Sequence, residues 1–142
     1  MLQQHLQETY RYLFDEAHAL LALGGSFRPF GAGTRRTGEL IRATVEPPQD
    51  QDGAQDHIRG LIGGFKHEDS HGGLIAAGLV FDGQMTEDET EHGRALVFHL
   101  EAANGRALEV VVPYEVRLGN IIDFAEPNVQ EVHPEIFVVR EP

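Results

Sequence analysis

One stretch of the chain has residue types and spacing that could do chemistry. His67-Glu68-Asp69-Ser70-His71 matches the H-E-x-x-H pattern, in which two histidines one helical turn apart bind zinc and the glutamate acts as a base toward the metal-bound water. The pattern raises the hypothesis of a zinc-dependent hydrolase with His67 and His71 as metal ligands.

The place of this motif on its helix argues against catalysis. A helix extended through the motif puts His67 and His71 roughly 140–180° from the apolar stripe of that helix, on its solvent face. Gly72-Gly73 ends the helix directly afterwards, and no later segment offers a third ligand at the spacing known for zinc proteases. The histidines left for that role are His92, His99 and His133. We expect an ordinary polar helix end here, or a metal pair on the surface.

Other catalytic chemistries find still less support. The chain has no cysteine, which excludes thiol catalysis, disulfides and cysteine-based metal sites. Its serines, Ser26 and Ser70, do not sit in a G-x-S-x-G turn, and the Gly31-Ala32-Gly33 stretch is too short for a phosphate loop. The sequence therefore favours a non-enzymatic protein, with no catalytic residue and no cofactor expected.

The charge of the chain limits its partners. Among 142 residues, 23 acidic side chains against 11 lysines and arginines give a net charge of -12, which repels nucleic acid and anionic membranes. Such a surface keeps a protein in solution, and it also suits docking on a basic protein. The N-terminus lacks the pattern of a secretory signal and no apolar run reaches about 18 residues. We expect a cytoplasmic protein.

Hydrophobic periodicity predicts two helices. An apolar stripe indicates an amphipathic helix over residues 2–23, which Gly24-Gly25 would end. A second helix carries apolar residues at i, i+3, i+4 and i+7, capped by Asp50 or Asp52. Those residues are Ile58, Leu61, Ile62 and Phe65. Glycines in this second helix weaken it, and we interpret them as allowing close packing on a sheet.

The remaining pattern predicts an antiparallel sheet. Extended segments are expected at 26–34, 39–45, 74–81, 93–102 and 107–112, with a last short one at 136–139. Asn104-Gly105 is a strong hairpin signal, and the acidic residues 83–92 read as a solvated loop. In the 93–102 strand we expect the face of Val97, His99 and Glu101 to be the outer one. The prediction is one α+β domain over residues 1–142, with five strands, or six, in the order α-β-β-α-β-β-β.

The G-S-F-R-P-F-G-A stretch at 25–32, directly after an amphipathic helix, resembles small, uncharacterised bacterial single-domain proteins with an F-x-P-F-G-A strand. The resemblance extends loosely through the third strand, residues 108–114 and the late P-E-I-F stretch, and implies no activity. The order of elements is also similar to roadblock or profilin-like layouts, which implies that helices cover one face of a five-stranded sheet. The free face or an edge strand would then suit a homodimer or a partner complex.

The preferred hypothesis is a non-enzymatic protein-binding or regulatory module. Its expected contact surfaces are the segment Phe27, Arg28, Pro29 and Phe30 and the acidic residues 87–91. The alternative for that segment is structural, since its aromatic residues and proline could pack beneath the first helix and fix an edge bulge. An immunity protein that neutralises a basic toxin is a sharper version of the hypothesis, and the zinc hydrolase is the rival.

Overall fold

A computed structural model of the protein describes residues 2–24, 27–44, 53–70, 73–84 and 94–137. The helices are α1 (Leu2–Ala22) and α2 (Ala54–Ser70). The strands are β1 (Phe30–Arg35), β2 (Leu40–Ala43), β3 (Leu74–Gln84), β4 (Arg94–Ala102), β5 (Ala107–Arg117), β6 (Ile121–Phe124) and β7 (Asn128–Glu131). The α+β class and the antiparallel sheet are confirmed. The sheet has seven strands in the described ranges, where the sequence predicted five or six.

Every strand pairing in the described sheet is antiparallel. The main order is β2-β1-β3-β4-β5-β6, and β7 also pairs with β5. One side of β5 is occupied by β4 along most of its length. Its other side is divided, because β7 pairs with residues 108–111 and β6 pairs with residues 114–117. The two short strands therefore form one edge of the sheet together.

The two helices pack on opposite faces of this sheet. On one face, Leu13 of α1 belongs to the same core cluster as Val80 of β3 and Phe98 of β4. On the other face, Phe65 of α2 belongs to a second cluster with Leu79. Val80 and Leu79 are neighbours in one strand, so their side chains point to opposite faces. The one-face arrangement implied by the roadblock and profilin-like resemblance is therefore not the arrangement of this chain.

Close approach of α2 to the sheet depends on a strand glycine. A Cβ atom at Gly31 would lie 2.6 Å from the Gly78 carbonyl oxygen and 2.9 Å from the Phe65 ring. The absence of a side chain at Gly31 therefore permits the close approach. The glycines of the helix have another environment, because a Cβ atom at Gly63 or Gly64 would meet nothing within 4 Å. Our interpretation that helix glycines allow the close packing is wrong at these two positions.

Most predicted elements lie where the periodicity put them. The first helix ends beside Gly24, whose φ of 119° is the left-handed conformation expected there. The second helix continues through His67 to Ser70, and Gly105 has a φ of 91° in the β4–β5 turn. The first strand begins only at Phe30, so residues 27–29 precede it. Residues 45–52, with the expected helix cap, lie outside the described residues, and so do residues 85–93. The predicted acidic loop 83–92 is wrong at residues 83 and 84, which belong to β3.

The C-terminal part differs from the prediction. Two strands occur at 121–124 and 128–131, where the sequence showed no strand pattern. All four residues of β7 are exposed, so the strand is held by backbone pairing with β5. Its sequence therefore lacks the alternation of apolar and polar residues that would predict a strand. Residues 135–137 form bends, with Ile136 and Phe137 buried and Glu135 exposed, and not the extended edge segment predicted at 136–139. Residues 138 and 139 lie outside the described residues. No helix in the described ranges is long and apolar enough to span a membrane.

Candidate functional site

The H-E-x-x-H motif occupies the end of α2. His67 is exposed on the last turn, as the helical geometry predicted, while Glu68 and Asp69 are half-buried. The Glu68 carbonyl oxygen accepts a hydrogen bond of 3.4 Å from the Gly73 amide. Within the described residues no group of three or more metal-ligating side chains comes together. His71 lies outside those residues, so the zinc site stays a prediction, which elemental mass spectrometry of untagged protein purified without chelator would test.

The predicted contact segment is divided between core and surface. Pro29 and Phe30 are buried, and Phe30 belongs to the core cluster beneath α1. Phe27 is half-buried with its ring centroid 5.5 Å from that of Phe30, and Arg28 is exposed. The Arg42 guanidinium lies 4.5 Å from the Phe30 ring centroid. Packing thus accounts for Pro29 and Phe30, and contact with a partner would fall to Arg28 and Phe27.

The same segment lines a cavity of about 380 Å³ at the C-terminal end of α1. The rest of the lining comes from Leu20 of α1, Arg42 of β2, Thr44 directly after β2, and His57 of α2. Arg42 also pairs with Glu16 of α1, with 3.1 Å between Nη1 and Oε2. The structure therefore brings all four predicted binding residues to one place, beside both helices.

A second cavity, of about 230 Å³, lies between the N-terminal half of α1 and the strands β4, β5 and β7. Its apolar lining comes from Leu6, Tyr10, Leu100, Leu108, Val110, Pro127 and Val129. Gln7 and Arg106 are its polar lining residues. This cavity could not be predicted from the sequence, because the strand that closes one side of it, β7, was not predicted.

A fully buried carboxylate holds the C-terminal segment on the face of the sheet. Glu101 accepts hydrogen bonds from the backbone amides of Glu135, Ile136 and Phe137, at 2.8 to 3.1 Å. His99 Nε2 lies 2.5 Å from Glu101 Oε2. The expectation that this face is the outer one is wrong at Glu101, which is fully buried beneath the segment 135–137.

These contacts also decide the charge state of Glu101. Burial by itself raises the pKa of a carboxyl group, but the hydrogen bonds from His99 and from the three backbone amides outweigh it. The pKa of Glu101 is therefore lower than its usual value. The carboxylate is a charged anchor for the segment 135–137.

A second buried acid joins three strands of the sheet. The Tyr114 hydroxyl donates a hydrogen bond of 2.5 Å to Asp82 Oδ1, and the Arg94 guanidinium pairs with Oδ2 of the same carboxylate. Burial, together with the hydrogen bond and the negative charge of Asp82, raises the pKa of Tyr114. The phenol therefore stays a donor at neutral pH, and the network links β3, β4 and β5.

Large apolar side chains are exposed at the end of the β5–β6 hairpin. Leu118 in the turn is 97% exposed, Ile121 63% and Val116 43%, and Leu23 at the end of α1 is 83% exposed. A Cβ atom at Gly24 would lie 4.0 Å from Asn120 Nδ2, so the end of α1 lies beside this turn. We call Leu23, Val116, Leu118 and Ile121 the apolar tip.

Comparison of the chain with protein-family models, curated proteins and solved structures found no match. Sequence reasoning missed both the apolar tip and the 230 Å³ cavity. One sequence signal for the tip was the Ile121-Ile122 pair, because two β-branched apolar residues follow the Gly119-Asn120 turn directly.

Proposed function

We propose that this chain is a non-enzymatic protein-binding module that docks through the apolar tip. The single observation that carries the proposal is the exposure of four large apolar side chains around the β5–β6 turn. They lie on both faces of the hairpin, because Val116 pairs with Ile122 and Ile121 pairs with Arg117. Single exposed apolar residues are ordinary on protein surfaces, but several of them around one turn offer a partner apolar surface to cover. The tip joins two elements distant in sequence, α1 and the β5–β6 hairpin.

The hairpin that carries the tip is well anchored. The Phe124 ring at the far end of β6 packs on α1, with centroid distances of 4.8 Å to Phe14 and 5.1 Å to His18. Val116 pairs in register with Ile122, which is buried. The hairpin is therefore already ordered before a partner binds. Binding then costs the hairpin little conformational entropy.

Charge favours a basic partner over a second copy of the chain. The net charge of -12 makes two copies repel each other and attracts a basic surface. Near the tip, Glu115 and Asp123 face each other across β5 and β6, and Arg117 pairs with Asp123 at 2.8 Å. The expected partner carries an apolar patch with lysines and arginines around it. A basic toxin would be such a partner if this chain is an immunity protein.

The experiment is quantitative capture from lysate of the native cell with three forms of the tagged chain. The forms are the wild type, a double variant Leu118→Ser/Ile121→Thr, and the control Val129→Thr, which changes an exposed valine outside the tip. We expect a basic protein to be retained by the wild type and the control and lost by the double variant. With the purified pair, loss of the central contact should weaken binding by about 30-fold, the effect of an interface hot spot.

The variants should fold normally, because substitutions at exposed sites change the free energy of unfolding by about 0.5 kcal/mol or less. Retention of the same proteins by all three forms would contradict the proposal, as would an acidic partner. Sedimentation velocity of the purified chain tests self-association, and a dimer lost in the double variant would assign the tip to a second copy.

A further inference from the structure

The 230 Å³ cavity beneath the N-terminal half of α1 is apolar inside and has an arginine at its edge. Leu6 of α1, Leu100 of β4, Val110 of β5 and Val129 of β7 contribute walls from four different elements. The cavity is open to solvent on one side, so an apolar molecule that covers its lining removes apolar surface from water. It is smaller than the roughly 300–1,000 Å³ of sites for drug-sized ligands, so its ligand is correspondingly small.

The arginine is available to a ligand. Among the described residues the Arg106 side chain pairs with Glu131 alone, at 3.7 Å between Nε and Oε1, and both side chains are well exposed. An exposed ion pair at this distance contributes little, so a better acceptor can replace it. A guanidinium offers two parallel donors that match the two oxygens of a carboxylate.

We propose that this cavity binds a small organic acid, with the apolar body between α1 and the sheet and the carboxylate on Arg106. The Gln7 amide lines the same cavity and can donate a second hydrogen bond. The chain as a whole repels anions through its charge of -12, so capture of an acid depends on this local cation. The proposal concerns a different surface from the apolar tip and does not depend on the tip's function.

The test uses octanoate and 1-octanol, which share an apolar chain and differ in the charged group. Amide NMR titrations of the full chain give the site and the affinity for each probe. We expect octanoate to shift the amides of residues 6–10, 108–110 and 128–129, and to bind more tightly than 1-octanol.

Three variants separate the contributions to binding. Arg106→Gln should weaken octanoate binding by about tenfold or more, the effect of losing a hydrogen bond to a charged group, and should leave 1-octanol unaffected. Val129→Trp should block both probes by filling the cavity from its exposed edge. Arg117→Gln, which removes an exposed arginine elsewhere, should leave both affinities unchanged. The amide spectrum of each variant reports whether it is folded.

Three results would overturn the proposal. One is the absence of octanoate binding to the wild-type chain at millimolar concentration. Another is shifts that map away from the cavity. The third is equal affinity for octanoate and 1-octanol with no effect of Arg106→Gln, which would show an apolar cavity without an acid site.

Discussion

Substitution of glutamine for Glu101 removes the charge that anchors residues 135–137 while keeping the size of the side chain. The carboxylate receives backbone hydrogen bonds from Glu135, Ile136 and Phe137, and both of its oxygens are used as acceptors. A glutamine side chain offers one acceptor oxygen, and its amide group would point donors at backbone donors. Glu101→Gln therefore leaves at least one buried amide without an acceptor.

The expected loss follows from the number and kind of these bonds. A hydrogen bond to a charged group contributes about 1.5–3 kcal/mol, and such contributions do not add when the groups share a partner. We expect Glu101→Gln to lower the free energy of unfolding by about 3 kcal/mol. In a chain of this length that corresponds to a fall in Tm of about 10 °C.

The matched control is Glu109→Gln. Glu109 lies on the neighbouring strand directly opposite His99, which places it on the same face of the sheet as Glu101. No backbone amide of a described residue donates to it, so its substitution should change the free energy of unfolding by about 0.5 kcal/mol or less. Urea denaturation measures both variants.

Hydrogen exchange gives the local readout for the same pair of variants. The amides of Ile136 and Phe137 should exchange much faster in Glu101→Gln and keep their protection in Glu109→Gln. The reasoning is refuted if Glu101→Gln unfolds like the control and these two amides stay protected.

The pKa of Glu101 gives this anchor a pH dependence of known sign. Because the folded-state pKa is below the ordinary value of 4.5, the stabilisation is complete above that value and is lost as the pH falls through the lowered pKa. The difference in unfolding free energy between wild type and Glu101→Gln should be constant near pH 7 and shrink below about pH 4. Denaturation curves at several pH values check this, and a difference that grows on acidification would contradict it.

Further predictions concern packing. Gly31→Ala should lower the free energy of unfolding by about 2 kcal/mol or more, because the new methyl group would lie 2.6 Å from the Gly78 carbonyl oxygen. Gly63→Ala, at a helix position with open space, should raise it by about 0.5–1 kcal/mol; urea denaturation measures both. Tyr114→Phe should lower it by about 1–2 kcal/mol because Asp82 loses a partly buried hydrogen bond, and no loss in thermal unfolding would contradict that role.

The elements that the sequence predicted are those whose side chains alternate between core and solvent. Leu61 and Phe65 mark the buried side of α2, and Leu96 and Phe98 mark the buried side of β4. In these elements local periodicity and burial agree, because one face packs on a continuous core. The outward position of His67 followed from the same periodicity.

The buried role of Glu101 could not be predicted this way. Its neighbours His99 and Val97 share a face that reads as half-polar, and the amides that satisfy its charge belong to a segment some 34 residues later. Backbone donors have no signature in a sequence, since every residue except proline has one. Only the folded chain shows that a charged residue there has enough partners to be buried.

The two short strands that escaped prediction each contribute to one of the two surfaces proposed for binding. β6 presents Ile121 at the apolar tip, and β7 contributes Val129 to the wall of the cavity. Backbone pairing with β5 holds each strand, so most of their side chains are not needed for the core and are free to meet a partner. With α1 and α2 packed on opposite faces of the sheet, this edge is where the chain can carry contact residues without loss of stability. In this chain, binding residues should therefore be sought in segments that lie beside a paired strand and lack the apolar periodicity of the core.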